Sequence, residues 1–322
     1  MDIVSLGHIL NETIIETDGS RQHVLGSPAA YSAVCAASLG AKAGLVSHAG
    51  KDMPQRLLAS FEDAGVDLRG LNRNSPCTTT SELGYDDRGR RRIIRYLKVA
   101  EPITLDCIPQ AYLGSKVFYV CGTDFEVQPE VIDKLCTLDG LLAADLGGLG
   151  GAGRPVGAES IFRTDRERYR RYVSRFEILK ASEDDCMLTT GGDIASVAVF
   201  LEEVLSWGPQ IILLTRAEKG TDICTRQGRT NVQASAVRNV VDTTGAGDGF
   251  GAGFLLMYSQ TRDLVKAVRF GSAVSSYLIQ GSGGAAAERM PTRQQAERIL
   301  ASGVVSHPAD AEGDNRPDAG EH

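Results

Sequence analysis

Short apolar runs alternate with helix-length amphipathic stretches along most of the chain. That alternation predicts an α/β fold, a doubly wound, mostly parallel sheet with helices on both faces. Strands are expected at Ile3–Leu6, Ala43–His48, Val117–Val120, Leu141–Asp145, 176–180, Ile211–Thr215 and Thr221–Thr225. Helices are expected at 28–39, 54–64, Ile194–Trp207, 247–259, Leu264–Leu278 and 292–302. Two intervals break the rhythm. Residues 78–100 alternate around the turn signal Asp86-Asp87-Arg88-Gly89, and residues 10–26 do so around Asp18-Gly19-Ser20, so each predicts an antiparallel ribbon. Paired, the ribbons would form a small β lid over a main domain of residues 1–9, 27–77 and 101–306. Residues 307–322 hold five acidic residues, one Arg and no apolar period, and are expected to be a disordered tail. The Arg-rich stretch 163–175 reads as a solvated helix.

Composition narrows the function. Of 322 residues, 34 are Lys or Arg and 41 Asp or Glu, a net charge of −7 that disfavours nucleic acid and anionic membranes as partners. The seven cysteines are scattered, with no C-x-x-C pair, which argues against a disulfide framework or zinc ribbon and for a reducing cytoplasm. No basic leader precedes the first strand, and no apolar run approaches the ~18 residues of a membrane span.

The most informative segment is Asp242-Thr243-Thr244-Gly245-Ala246-Gly247-Asp248, followed by the small-residue stretch Gly249 to Phe254. A glycine turn opening a helix offers backbone N–H groups and the positive end of the macrodipole, an anion cradle. Asp248 inside it can take the proton of a hydroxyl that attacks phosphorus. No G-x-x-x-x-G-K-[ST] string exists, so a standard P-loop is excluded, and Gly148, Gly150 and Gly153 read as a loose glycine loop because Pro155 and Gly157 interrupt any following helix.

DTTGAGD followed by such a helix closely resembles the signature of ribokinase-like, PfkB-type carbohydrate kinases, and other segments fall in the same order. Gly7 to Glu12 resembles the family's G-x-x-x-x-D, with Glu12 as the acid. Gly26-Ser27 with Tyr31, followed by Gly50-Lys51-Asp52, resembles its Gly-Gly motif and G-x-D. Lys180 to Asp185 stands at K-P-N-x-x-E, and Thr215 to Gly220 at T-x-G-x-x-G. The resemblance covers about residues 3 to 300. It implies a ribokinase-like fold with a β lid and ATP-dependent phosphorylation of a sugar or polyol hydroxyl. Asp248 would be the base, with Gly245, Ala246 and Gly247 as anion hole and Glu12, Gly26, Ser27 and Tyr31 as substrate contacts. Ser182, Thr215, Lys219, Gly220 and Ser272 would bind nucleotide. Mg2+ would be held through water by Asp185, and K+ near Asp242 and Thr244. A homodimer would form through the lid.

Departures bear on the acceptor. Tyr31 stands for Asn, Ser27 for the second Gly, and Ser182-x-x-Asp185 for N-x-x-E, while Asp145 to Leu149 lacks the D-x-N-x-R of fructokinase-like and ketodeoxygluconate-kinase-like members. A Tyr31 ring against the acceptor is expected to set its choice. Two other readings stay open: a nucleoside kinase of the same family, and a sensor that binds sugar and nucleotide with weak catalysis.

Overall fold

The computed structural model describes residues 1–85, 91–237 and 239–302. The turn signal at 86–89 and the tail at 307–322 lie outside these residues. Its strands are β1 (Ile3–Leu6), β2 (Leu10–Ile15), β3 (Arg21–Gly26), β4 (Ala43–His48), β5 (Asp67–Asn72), β6 (Thr79–Tyr85), β7 (Arg91–Lys98), β8 (Val117–Val120), β9 (Leu141–Asp145), β10 (Ile178–Ser182), β11 (Ile211–Thr215), β12 (Thr221–Thr225) and β13 (Gly228–Val232). Its helices are α1 (Pro28–Ser38), α2 (Gln55–Ala64), α3 (Pro129–Leu135), α4 (Ile161–Thr164), α5 (Arg166–Val173), α6 (Glu183–Thr190), α7 (Ile194–Trp207), α8 (Ala246–Thr261), α9 (Leu264–Leu278) and α10 (Arg293–Ser302).

Nine strands form the main sheet in the order β13-β12-β11-β10-β9-β8-β1-β4-β5. All pairs from β11 to β5 are parallel, and β12 and β13 add antiparallel at one edge. The period of two along each strand divides the core. Ile3, Val117 and Tyr119 pack with α1, α2, α8, α9 and α10, whereas Val4, Leu6, Phe118 and Val120 pack with α3 to α7 on the opposite face. The chain winds one way through β1, β4 and β5 and the other way through β8 to β11. Strand direction of travel therefore reverses between β1 and β8, and a crevice opens there at the carboxyl ends of the strands.

The two ribbons pair as expected into a second sheet, β3-β2-β6-β7, joined by the parallel β2–β6 contact. Ile14, Val24, Leu83 and Ile93 give this lid a small core of its own. Two expectations shift, and two strands appear that none announced. The strand expected at 176–180 occupies Ile178–Ser182, because the Phe176 N–H still turns back to the Val173 carbonyl after α5. The arginine-rich stretch divides into α4 and α5 at Asp165, whose carboxylate caps α5 through the Arg168 N–H at 3.0 Å. Strands β5 and β13 carry too many polar residues for an apolar run to announce them, as edge strands can.

Candidate active site

A cleft of about 830 Å3 runs along the carboxyl ends of the main strands and under the lid. At one end are Leu10, Glu12, Ser27, Leu83, Arg91, Ile93, Tyr96 and Thr123. Thr215, Gly220, Ser235, Ser272 and Ile279 line the other, and Lys180, Gly245, Gly247 and Asp248 stand between.

The middle is shaped by glycines. Gly245 has φ +80°, and a Cβ there would lie 2.3 Å from the Tyr31 ring, so backbone conformation and space both demand glycine. Of the three expected anion-hole groups, the Ala246 N–H already donates to the Thr243 carbonyl at 3.1 Å. The Gly249 N–H donates to the Gly245 carbonyl at 2.9 Å. For Gly247 and Asp248, the second and third residues of α8, the carbonyls one turn earlier are bonded to the Ala246 N–H and to Arg289, so among the described residues their N–H groups are the ones in the cradle open to an anion. A Cβ on Gly247 would sit 2.7 Å from Lys180 Nζ, which puts an ammonium group against that cradle.

Lys180 is a buried lysine inside β10, its amine 2.8 Å from Asp145 Oδ2 at the end of β9. Asp145 also accepts from the Gly147 N–H at 2.8 Å and the Tyr119 hydroxyl at 3.3 Å. Burial pushes the lysine down, but the Asp145, Asp185 and Asp248 carboxylates outweigh it and hold the amine above its usual range. Asp248 faces the cleft and is enclosed by protein elsewhere. Loss of solvation and the Asp145 carboxylate, opposed by Lys180, push it up to about 7. Glu12 lies on β2 of the lid, where burial pushes it to about 7 against the opposing Ser81 hydroxyl, which donates at 3.0 Å.

Gly26 does not line the cleft. It stands behind Glu12, where a Cβ would meet Glu12 Oε2 at 2.5 Å, so its service is to let that carboxylate in. Ser27 does line it, with φ 103° and ψ 149°, a region suited to glycine. Its Oγ accepts the Ala30 N–H at 3.1 Å and so caps α1. Such backbone costs about 1–3 kcal/mol and loss of a cap to glycine only a few tenths. Ser27→Gly should therefore raise stability by about 1 kcal/mol, read from urea unfolding; a lower midpoint would show that the serine is not strained.

Tyr31, expected to present its ring to the acceptor, borders the cleft but is almost wholly buried. Its ring lies beneath Gly245 and is 1% exposed, and its hydroxyl is 3.2 Å from Arg289 Nη1. The ring is packed against the turn at Gly245, and a supporting role for it there is the expectation to be tested. Tyr31→Asn should cost roughly 3 kcal/mol or more by opening a cavity. It should lower kcat/KM alike for every acceptor in a panel, and a reordered panel would restore the specificity role.

At the far end Thr215, Gly220 and Ser272 border the cleft, while Lys219 does not and is exposed. The Ser272 hydroxyl accepts the Ser235 N–H at 2.9 Å. Ser182 and Asp185 form a capping box on α6, and Asp185 Oδ1 accepts the Ala152 N–H at 2.9 Å. With Oδ2 taken by the Ser182 N–H at 2.8 Å and hydroxyl at 2.7 Å, Asp185 chiefly pins the glycine loop over the cleft.

The residues expected to hold a monovalent cation do not fit one. The carbonyls of Asp242 and Thr244 accept from Arg289 Nη2 at 2.8 and 3.0 Å, and the Asp242 carboxylate pairs with Arg91 of the lid and faces Arg289. Lys180 and Asp145, which stand at motif positions but were given no role, and Arg91 and Arg289, which no motif named, also stand at the cleft or directly beneath it. A lysine amid the apolar Ile178-Leu179 and Ala181 of a buried strand was a visible signal for the first; the arginines act across sequence separations of 151 and 47 residues, which no local pattern reveals.

The family model described as pfkB family carbohydrate kinase matches residues 2–293. A cytidine kinase of Thermococcus kodakarensis is 31% identical over 274 residues, 84% of this chain and 93% of that protein. A fructokinase structure from Vibrio cholerae, with fructose, ADP and calcium bound, superposes with TM-score 0.76 at 21% identity over 93% of this chain and 99% of the other. A pyrophosphate-dependent kinase of the ribokinase family, complexed with a pyrophosphate analogue and myo-inositol, superposes with TM-score 0.72 at 20% identity, covering 89% of this chain and 98% of the other.

Proposed function

The chain belongs to the pfkB family of carbohydrate kinases and is a sugar, polyol or nucleoside kinase, and from that premise we propose that it transfers the ATP γ-phosphoryl group to a hydroxyl of a nucleoside, with Asp248 as base. The observation that carries the chemistry is Asp248 at the opening of α8, beside the Gly247 cradle and Lys180.

Asp248 takes the hydroxyl proton as the oxygen bonds to the γ-phosphorus and the bond to the β-phosphate oxygen breaks, releasing ADP. Charge on the transferring group meets the Gly247 and Asp248 N–H groups and the Lys180 ammonium, donors already in place before reaction. Magnesium fits only through water, since among the described residues no cluster of three His, Cys, Asp or Glu side chains forms a cage. Carried in with the donor's phosphates, it would neutralise part of their charge, and Asp185 would face its water shell.

A nucleotide donor is favoured over pyrophosphate because the cleft continues past Thr215 and Gly220 to Ser272 and Ile279, room that pyrophosphate would leave empty. A nucleoside is favoured over a free sugar or polyol as acceptor because Leu10, Leu83, Ile93 and Tyr96 line the lid side. Those side chains suit a planar base better than a ring of hydroxyls, while Glu12 can bind ribose hydroxyls. The cytidine kinase relative supports the same choice.

The test is ADP release over cytidine, adenosine, ribose, fructose and myo-inositol with MgATP. Nucleosides are expected to give the highest kcat/KM. Faster turnover of ribose or myo-inositol would return the acceptor to the free sugars and polyols. Binding of acceptor and ATP without turnover would favour a sensor.

A further inference from the structure

Arg289 has no part in the chemistry above, yet it is the most completely satisfied cation among the described residues near the cleft. Its side chain is 1% exposed and it lies in a short turn between α9 and α10. Nη2 donates to the carbonyls of Asp242 and Thr244, at 2.8 and 3.0 Å. Nη1 donates to the Gly284 carbonyl and the Tyr31 hydroxyl, both at 3.2 Å, and Nε to the Leu278 carbonyl at 3.3 Å. The Asp242 carboxylate lies 3.5 Å away.

Four carbonyl oxygens, a hydroxyl and a carboxylate converging on one buried point would repel one another without a positive charge at the centre. Two of those carbonyls belong to the segment that leads into Gly245 and α8, and the hydroxyl belongs to the ring on which Gly245 rests. We propose that the Arg289 guanidinium is a built-in cation that holds the anion-hole turn in its working shape, in the place where a bound monovalent cation would otherwise be needed, so that phosphoryl transfer does not depend on K+. The guanidinium suits this work because it stays charged and its planar fork presents five donors at fixed angles. Arg289 is a positioning residue: it touches the turn rather than the transferring group.

The inference rests on the kinase reading, so its test has an arm that needs no turnover. Thermal unfolding and ADP release are measured in KCl and in tetramethylammonium chloride at equal ionic strength. The unmodified protein should show the same Tm and kcat in both salts. Arg289→Ala should lose about 100-fold in kcat, the scale of losing one oxyanion donor, while KM for both substrates changes little. It should regain part of that rate in low guanidinium chloride, and should gain a K+-specific rise in Tm that the unmodified protein lacks. Arg289→Lys, which keeps the charge but not the fork, should fall between the two, and it carries the kinetic comparison if the alanine variant does not fold. A kcat of the unmodified protein several-fold higher in KCl, or full activity in Arg289→Ala, would overturn the proposal. Absence of turnover with every acceptor would overturn the kinase reading instead, and the thermal comparison would still report on the cation.

Discussion

Asp248→Asn lowers kcat by at least ~100-fold, the low end for loss of a general base, and at the same time makes the protein more resistant to heat at pH 8. The first effect follows because an amide cannot take the hydroxyl proton. The second follows from where the carboxylate sits. Withdrawal from water and the Asp145 carboxylate hold Asp248 at about 7, and burial holds Glu12 at about 7. Both lie above the usual carboxylate range of the unfolded chain. Between that range and about pH 7 the folded protein binds more protons than the unfolded one, so stability falls as pH rises through the window. The amide of the variant would carry no such charge and would remove part of the fall. Catalysis has the opposite dependence: kcat/KM of the unmodified enzyme rises with pH up to about 7 and then levels, as the base loses its proton. A pH–rate profile and Tm values at pH 5 and 8 for both proteins test the pair of effects. Near wild-type turnover in Asp248→Asn would remove the base, and a flat profile from pH 5 to 8 would remove its raised pKa.

The architecture was legible because its causes are local. Apolar runs such as Ile3–Leu6 and Ile211–Thr215, too short for helices and bounded by turn signals, read as strands buried on both faces, and the alternating ribbons declared the lid. The cradle was legible because Gly245, Gly247 and Asp248 are close neighbours in one turn. What sequence could not show is who supports them. Tyr31 read as a substrate contact from its place in a motif, and nothing local announced that its ring also packs against the left-handed Gly245 and meets Arg289. Asp242 looked like a cation ligand, yet Arg91 and Arg289, from the lid and from beyond α9, converge on it. Such partners are set by tertiary geometry, and the residues between them carry no mark of it.

The Lys180–Asp145 pair carries the second large effect, since it joins stability to rate. Lys180→Met should cost about 3–5 kcal/mol, because Asp145 would be left buried with only the Gly147 N–H and the Tyr119 hydroxyl. Turnover should also fall, since the amine beside Gly247 is gone. One variant cannot separate these causes. Replacing both members, Lys180→Met with Asp145→Leu, removes the stranded charge and should recover most of the lost stability, as apolar replacements of buried pairs commonly do. Rate should stay low, because the cradle still lacks its cation. The pH profile supplies an independent reading. Lys180 lowers the Asp248 pKa and Asp145 raises it by more, so the midpoint should move to higher pH in the single variant and to lower pH in the double. Urea unfolding, kcat and the profile are measured on all three proteins. Recovery of turnover together with stability in the double variant would reduce Lys180 to a structural partner of Asp145. Recovery of stability alone assigns its ammonium to the phosphoryl group in flight.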